Sequence, residues 1–256
     1  MTRMTIDLRP PDASKLNAPF EGRDFRLYVA VTNRCNRACP FCATHSTPLG
    51  TTFITLDQIL ALLPREGKYQ VQLEGGEPFL HPGLPEIAAC FSRDERCTRI
   101  IISTNGSILP FEFTSGRIDD TASRAALAAF FSRYPARMTL KVSLNHHLLE
   151  QDPMLFEKAR ILLEFTAGTG TDVVFNLRRR NDPLHGRDEW LERMVDEHGL
   201  RRATNSFFLQ RYGRNTSDDT AEAPFIVGTN WCAVNPDGRA WGIDLIGRSE
   251  AMRRLG

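Results

Sequence analysis

A chain of 256 residues has room for one large α/β domain with a short appendage and is too short to favour two full domains. Its 41% hydrophobic and 25% charged residues are ordinary for a globular protein, and a formal net charge of +1 argues against bulk attraction to nucleic acid or to a membrane surface. No apolar run approaches the roughly 20 residues that cross a bilayer, and Met1 to Asp7 lack the apolar core of a secretion signal, so a cytoplasmic, reducing compartment is expected, with no nucleic-acid or membrane partner.

Residues 1–24 include Arg9-Pro10-Pro11-Asp12, which breaks any regular element, and read as an N-terminal arm. Arg26 to Val31 is apolar and β-branched enough for a first strand, whose end delivers the chain into Asn33-Arg34-Cys35-Asn36-Arg37-Ala38-Cys39-Pro40-Phe41-Cys42. Thiolates spaced C-x-x-x-C-x-x-C can hold three irons of a [4Fe–4S] cube through Cys35, Cys39 and Cys42 and leave the fourth iron without a protein ligand. A structural zinc site would need a second ligand pair that the neighbourhood of Cys35 does not supply, and three cysteines within eight residues cannot pair evenly as disulfides.

Further along, Thr55-Leu56-Asp57-Gln58 has the capping-box pattern and starts a helix that Pro64 ends. A second strand, Tyr69 to Leu73, runs into Glu74-Gly75-Gly76-Glu77-Pro78. A helix over 83–92 and a third strand, Arg99 to Ser103, follow, ending in Thr104-Asn105-Gly106. Cys90 lies beside Ile87 and Phe91 on an apolar helical stripe and Cys97 has no partner pattern, so both read as structural. After an Ala-rich helix over 121–132 comes a strand from Met138 to Leu144, whose period of two sets Lys141, Ser143 and Asn145 on one face and Val142 and Leu144 on the other. Asp152-Pro153 opens a helix through Leu163, and the strand over 172–177 places Asn176 and Arg178 opposite Phe175 and Leu177. A helix over 188–198 and a strand over 206–209 complete six alternations, which argue for a parallel sheet, open or closed into a barrel.

Two features after the fourth strand could face a substrate. His146-His147 reads first as surface loop. Arg178-Arg179-Arg180 with Arg211 and Arg214 reads first as a solvated charged face, with a clamp for an anionic substrate as the alternative. At the end of the chain Trp231-Cys232-Ala233-Val234-Asn235-Pro236-Asp237-Gly238-Arg239-Ala240-Trp241 reads as a hairpin around Pro-Asp-Gly.

The cysteine loop, with Gly75-Gly76-Glu77-Pro78 downstream, resembles the radical S-adenosylmethionine (SAM) superfamily. The resemblance implies a partial (β/α)6 TIM-type barrel over 25–214 and a short C-terminal hairpin extension over 215–256. It also implies a [4Fe–4S] cluster on Cys35, Cys39 and Cys42 whose open iron chelates SAM. Reductive cleavage then gives a 5′-deoxyadenosyl radical that takes hydrogen from a peptide or small biosynthetic intermediate, with electrons from a reductant such as flavodoxin or ferredoxin. By the same resemblance Phe41 packs near the SAM adenine or shields the cluster. Gly75 and Gly76 let the backbone approach the cofactor, with Glu77 beside them, and Ser103, Asn105, Ser143, Asn176 and Arg178 are candidate SAM contacts, or simply hydrogen-bond one another.

Cys232 followed by Asn-Pro-Asp-Gly resembles the start of the SPASM or twitch extension that carries auxiliary clusters. Where a further cysteine is expected, this chain has Trp241-Gly242-Ile243. One cysteine cannot hold a cluster, so a redox-neutral epimerisation or rearrangement is expected, with Cys232 as hydrogen donor or as a packed thiol. The alternatives are a SPASM-like dehydrogenase or peptide cross-linking enzyme with an auxiliary cluster, and a non-catalytic iron–sulfur electron-transfer protein.

Overall fold

Strand and helix alternate because apolar residues recur first with a period of two and then at helical spacing. The computed structural model describes residues 25–180, 186–216 and 231–255, so the expected arm over 1–24 lies outside the described residues. β1 (Phe25–Thr32) leads through the cysteine loop to α1 (Leu56–Leu60) and β2 (Tyr69–Gly75), and α2 (Leu84–Arg93) returns the chain to β3 (Cys97–Thr104). A small hairpin of β4 (Phe113–Thr114) and β5 (Arg117–Ile118) precedes α3 (Asp120–Phe131). Then come β6 (Thr139–Asn145), α4 (His146–Gln151), α5 (Leu155–Thr166), β7 (Asp172–Arg179), α6 (Arg187–Glu197) and β8 (Thr204–Phe208). β9 (Trp231–Val234), β10 (Ala240–Gly242) and α7 (Leu245–Leu255) finish the described chain.

The main sheet has the order β10-β9-β1-β2-β3-β6-β7-β8 and is parallel throughout except for β10 against β9. Within the main sheet β1, β2, β3, β6, β7 and β8 follow one another in space as in sequence, and helices connect these parallel strands, the arrangement that right-handed crossovers favour. One face of the sheet carries Val29, Leu73, Ile102, Leu140, Phe175 and Leu177, all buried in one core with Ile87 and Phe91 of α2 and Phe156 of α5. Each such side chain contributes about 1.5–3 kcal/mol by leaving water. A one-residue slip would turn the whole set to the other face, which fixes the register.

The opposite face is polar, with Tyr28 opposite Gln72 and with Arg99, Lys141, Ser143 and Arg178 lining the same hollow space, and α7 reaches its upper end through Arg248, which meets Glu74. β10 and β8 are the two sheet edges and do not pair among the described residues, so the sheet is a partial barrel of the expected α/β class, open along one side. No helix among the described residues is long and apolar enough to cross a membrane.

Three local differences from the sequence reading have physical causes. The capping box of Thr55 and Gln58 forms, yet α1 runs only to Leu60 and relaxes into short turns in which Leu62 N–H donates to Ile59 O, since Pro64 disfavours a helical residue before it. Asp152 does not start the next helix. It ends α4, accepts from Met154 N–H and pairs with Lys158 at 2.7 Å, while α5 begins at Leu155. The C-terminal hairpin forms as part of the main sheet: β9 joins it parallel to β1, Leu27 opposite Cys232, and with β10 extends it by two strands.

Candidate active site

The cysteine loop begins where β1 and β2 stop matching. A bulge between Ala30 and Thr32 faces Gly75, whose φ of +120° suits glycine, and this kink sends residues 33–53 over the strand ends. The loop is tied back on itself: Cys35 N–H donates to Thr47 O at 2.9 Å and Thr52 N–H to the Asn33 side chain at 2.9 Å. Gly76 lies directly under it. A Cβ on Gly76 would run into the Arg34 carbonyl, and Gly76 N–H already donates to Thr32 O at 2.7 Å, so the glycine pair lets two stretches of this chain pass each other. The sequence reading gave that room to a cofactor. In the structure the Arg34 backbone takes it at Gly76, while Gly75 and Gly76 both still line the cavity.

A second clamp comes from the far end of the chain. Gly213 (φ +70°) packs its Cα so close to the loop that a Cβ would stand 2.6 Å from Ala43 Cα. Beside it the Arg214 guanidinium donates to the carbonyls of Cys39 (3.0 Å), His45 (2.7 Å) and Ser46 (3.1 Å). From α7, Ser249 Oγ donates to Ala43 O at 2.7 Å, and Asn33 Nδ2 reaches the Leu255 carbonyl at 2.8 Å. Arg214 and Cys39 are 175 positions apart, so no local pattern in the sequence announces the contact, and Arg214 is part of the loop's support and not of a solvated charged face.

Beneath the loop opens a cavity of about 460 Å3 at the C-terminal ends of the strands. Cys35, Cys39 and Cys42 line it together with Phe41, Gly75, Gly76, Ser103, Asn105, Ser143 and Arg178, so ten of the candidate residues share one space. Asn105 Nδ2 approaches Cys35 Sγ at 3.6 Å, and the Thr44 hydroxyl lies 3.4 Å from Cys42 Sγ and donates to Gly75 O at 3.0 Å. Burial pushes the Cys35 thiol up to about 12 and the Cys39 thiol up to about 11. Phe41 stands edge-on to His147, with ring centres 6.1 Å apart.

The donor set fits a three-thiolate cube. Among the described residues no three ligand-type side chains converge on one point as a single metal ion would need. A cube asks for something else, because each thiolate takes a different iron. Two buried polar atoms beside the cavity lack any hydrogen-bond partner, Ser103 Oγ and Asn176 Oδ1, and both are on strands that face it. Groups left in this way cost about 1–3 kcal/mol each unless something fills the hollow.

Two candidates stand elsewhere. Glu77 is fully buried and does not line the cavity. It accepts from Thr104 Oγ1 (2.8 Å), Asn105 N–H (2.8 Å) and Phe79 N–H (3.3 Å), so it fixes the end of β3 and not a cofactor. Burial outweighs these three donors and pushes its carboxyl up to about 7. Cys232 points into the core behind β9, because strand alternation turns its neighbour Trp231 to the cavity instead, and a thiol packed there is not placed to give hydrogen to anything in that cavity. Cys90 on α2, Cys97 on β3 and Cys232 on β9 belong to three different elements and form no second ligand group among the described residues.

The arginine run divides its work. Arg178 faces the cavity, Arg179 turns the other way to Glu192 at 3.2 Å, and Arg214 holds the loop. His146 pairs with Glu150 at 2.9 Å on α4, which Asn145 caps. Arg248, on α7, is a buried cation that the sequence did not single out; it meets Glu74 at 2.8 Å on the cavity wall.

The Radical SAM superfamily profile matches residues 29–194. A GTP 3′,8-cyclase of Klebsiella pneumoniae (strain 342) is 26% identical over 220 residues, covering 71% of this chain and 67% of that protein. The same activity names similar proteins of Chlorobaculum tepidum, 32% identical over 84 residues (32% of this chain, 26% of that one), and of Helicobacter pylori, 34% over 90 residues (32% and 28%). The matched stretch spans about a quarter of the Chlorobaculum and Helicobacter proteins and two thirds of the Klebsiella one.

Proposed function

The chain belongs to the radical SAM superfamily, whose enzymes use a [4Fe–4S] cluster and SAM, and from that premise we propose that it generates a 5′-deoxyadenosyl radical and abstracts hydrogen from a small substrate in the cavity beneath the cysteine loop. The observation that carries this reading is the opening of three thiols onto one cavity that also holds glycine backbone and an unpaired buried hydroxyl. When bound, the pair supplies one chemistry: an electron passed from the cluster splits the SAM sulfonium into methionine and a carbon radical that takes a hydrogen atom.

The chain's own residues bind, orient and exclude water. Cys35, Cys39 and Cys42 would hold three corners of the cube, and the raised thiol pKa values of Cys35 and Cys39 mean that iron would have to displace their protons as it loads. Asn105 aims an amide hydrogen at Cys35, a lever on the reduction potential, and the Thr44 hydroxyl sits beside Cys42 while donating to Gly75 O. Gly75, Ser103, Ser143 and Arg178 offer the remaining polar contacts to SAM, with Asn176 behind them, and Phe41 covers the thiols from one side. An external reductant supplies the electron.

A cavity of this size with a polar wall favours an enzyme over an electron-transfer protein, which has no use for one. Because the Klebsiella relative is a GTP 3′,8-cyclase, GTP is the first substrate to assay. The test is anaerobic reconstitution followed by SAM and dithionite. 5′-Deoxyadenosine should form in the wild type and fall at least a hundredfold in Cys35→Ala, Cys39→Ala and Cys42→Ala. A wild-type protein that carries four irons and makes none would overturn the reading.

A further inference from the structure

The polar face of the sheet continues below the cysteine cavity to a second hollow at the N-terminal strand ends. It holds about 230 Å3 and is lined by Arg26, Tyr28, Gln72, Arg99, Thr139 and Lys141 among others. Arg26, Tyr28, Gln72 and Lys141 also line the upper cavity, so the two are continuous.

Three of the floor's lining residues are cations, and none is a carboxylate. Across both hollows the one lining carboxylate is Glu74, which is already taken by Arg248 at 2.8 Å and by Gln72 Nε2 at 2.7 Å. The hydrogen bond that Lys141 makes goes to a neutral amide oxygen, Gln72 Oε1, at 3.2 Å, and burial pulls its pKa down. Arg99 commits Nε to Thr139 Oγ1 at 3.0 Å. The Arg178 guanidinium, higher on the same face, makes no hydrogen bond among the described residues and leans on the Phe207 ring at 5.0 Å. Positive groups gathered in a hollow with apolar walls behind them focus potential on whatever enters, and an uncompensated half-buried ammonium is unfavourable without an anion.

Strand geometry gives the reach. Ser103 and Ser143 line the upper cavity with the cysteines, and Arg99 and Thr139 lie four residues earlier on the same strands, about 13 Å lower at 3.3 Å per residue. We propose that the floor formed by Arg26, Arg99 and Lys141 binds the multiply charged oxyanion of an extended small-molecule substrate, whose reacting carbon lies about 13 Å away below the cysteines. Guanidinium forks suit phosphate and carboxylate oxygens alike, and a lysine adds a point charge. The substrate class is therefore a phosphorylated or polycarboxylate metabolite and not a neutral peptide. This inference rests on the radical SAM reading of the upper cavity.

The experiment is anaerobic titration calorimetry of the reconstituted protein in low-salt, phosphate-free buffer, with sodium tripolyphosphate in one arm and citrate in the other. At least one should bind the wild type. It should bind at least tenfold more weakly to Arg99→Gln and to Lys141→Gln, with Arg65→Gln, an exposed arginine elsewhere, unchanged. The arm that binds distinguishes a phosphate from a carboxylate substrate. A second measurement needs no variant: the bound anion should slow acylation of Lys141 in the wild type at least tenfold by peptide mass spectrometry, with Lys68 and Lys158 as internal references. Wild-type protein that forms 5′-deoxyadenosine but binds neither anion, or binds without protecting Lys141, overturns this inference alone. Protein that binds anion at the floor yet never cleaves SAM overturns the proposed function instead.

Discussion

Gly76 carries the tightest steric demand in the site, and it is a demand of chain on chain. Its missing Cβ is the space through which the Arg34 carbonyl passes. Gly76→Val should therefore displace the cysteine loop itself, lowering iron content after reconstitution at least fivefold along with SAM binding. Full iron loading with only SAM perturbation lost would instead support the cofactor-room explanation. Glu77 makes a different demand. The folded chain holds its proton up to about pH 7 and the unfolded chain releases it near 4.5, so unfolding sheds a proton between those values and stability falls as pH rises through that window. Between pH 5.5 and 8 the wild type should lose about 2 kcal/mol relative to Glu77→Gln, read from anaerobic denaturant unfolding of both proteins. Equal pH slopes would show that Glu77 ionises normally in the fold.

Among elements, the cysteine loop depends on two pieces that follow β8. The guanidinium of Arg214 satisfies three loop carbonyls, and α7 satisfies another through Ser249. Arg214→Gln should destabilise the loop by about 2–3 kcal/mol and, by removing a positive charge beside the thiols, shift the cluster's reduction potential to more negative values, with Arg214→Lys intermediate. A redox titration that finds the potential unmoved would confine Arg214 to a packing role. The core strands and longer helices were legible because their apolar residues keep a strict period: Val29 and Val31 on β1, or Leu84, Ile87 and Phe91 on α2. Contacts such as Arg214 with Cys39, or β9 beside β1, were not legible, since they join residues some two hundred positions apart and leave no local pattern. Cys232 illustrates the cost of reading a residue without its partner strand, because only the pairing with Leu27 shows which way the thiol points.

For the whole molecule, the open sheet explains why the site lies where it does. Helices cover one face and leave the other as a concave polar wall, with thiols at one end and cations at the other. Arg248, which ties α7 to Glu74 across the wall, holds the C-terminal strands against β2. Arg248→Met should cost about 3 kcal/mol, because it leaves Glu74 half-buried without its cation, and thermal unfolding would read the loss. An unchanged midpoint would show that Glu74 finds another partner or water.

The central claim is that three thiolates hold a four-iron cube with one iron left for SAM. Mössbauer spectra of protein reconstituted with 57Fe, recorded with and without SAM, address it directly. The account predicts that about a quarter of the iron signal changes on adding SAM while the rest stays. Four irons that all ignore SAM, or a spectrum of isolated single irons, would contradict it.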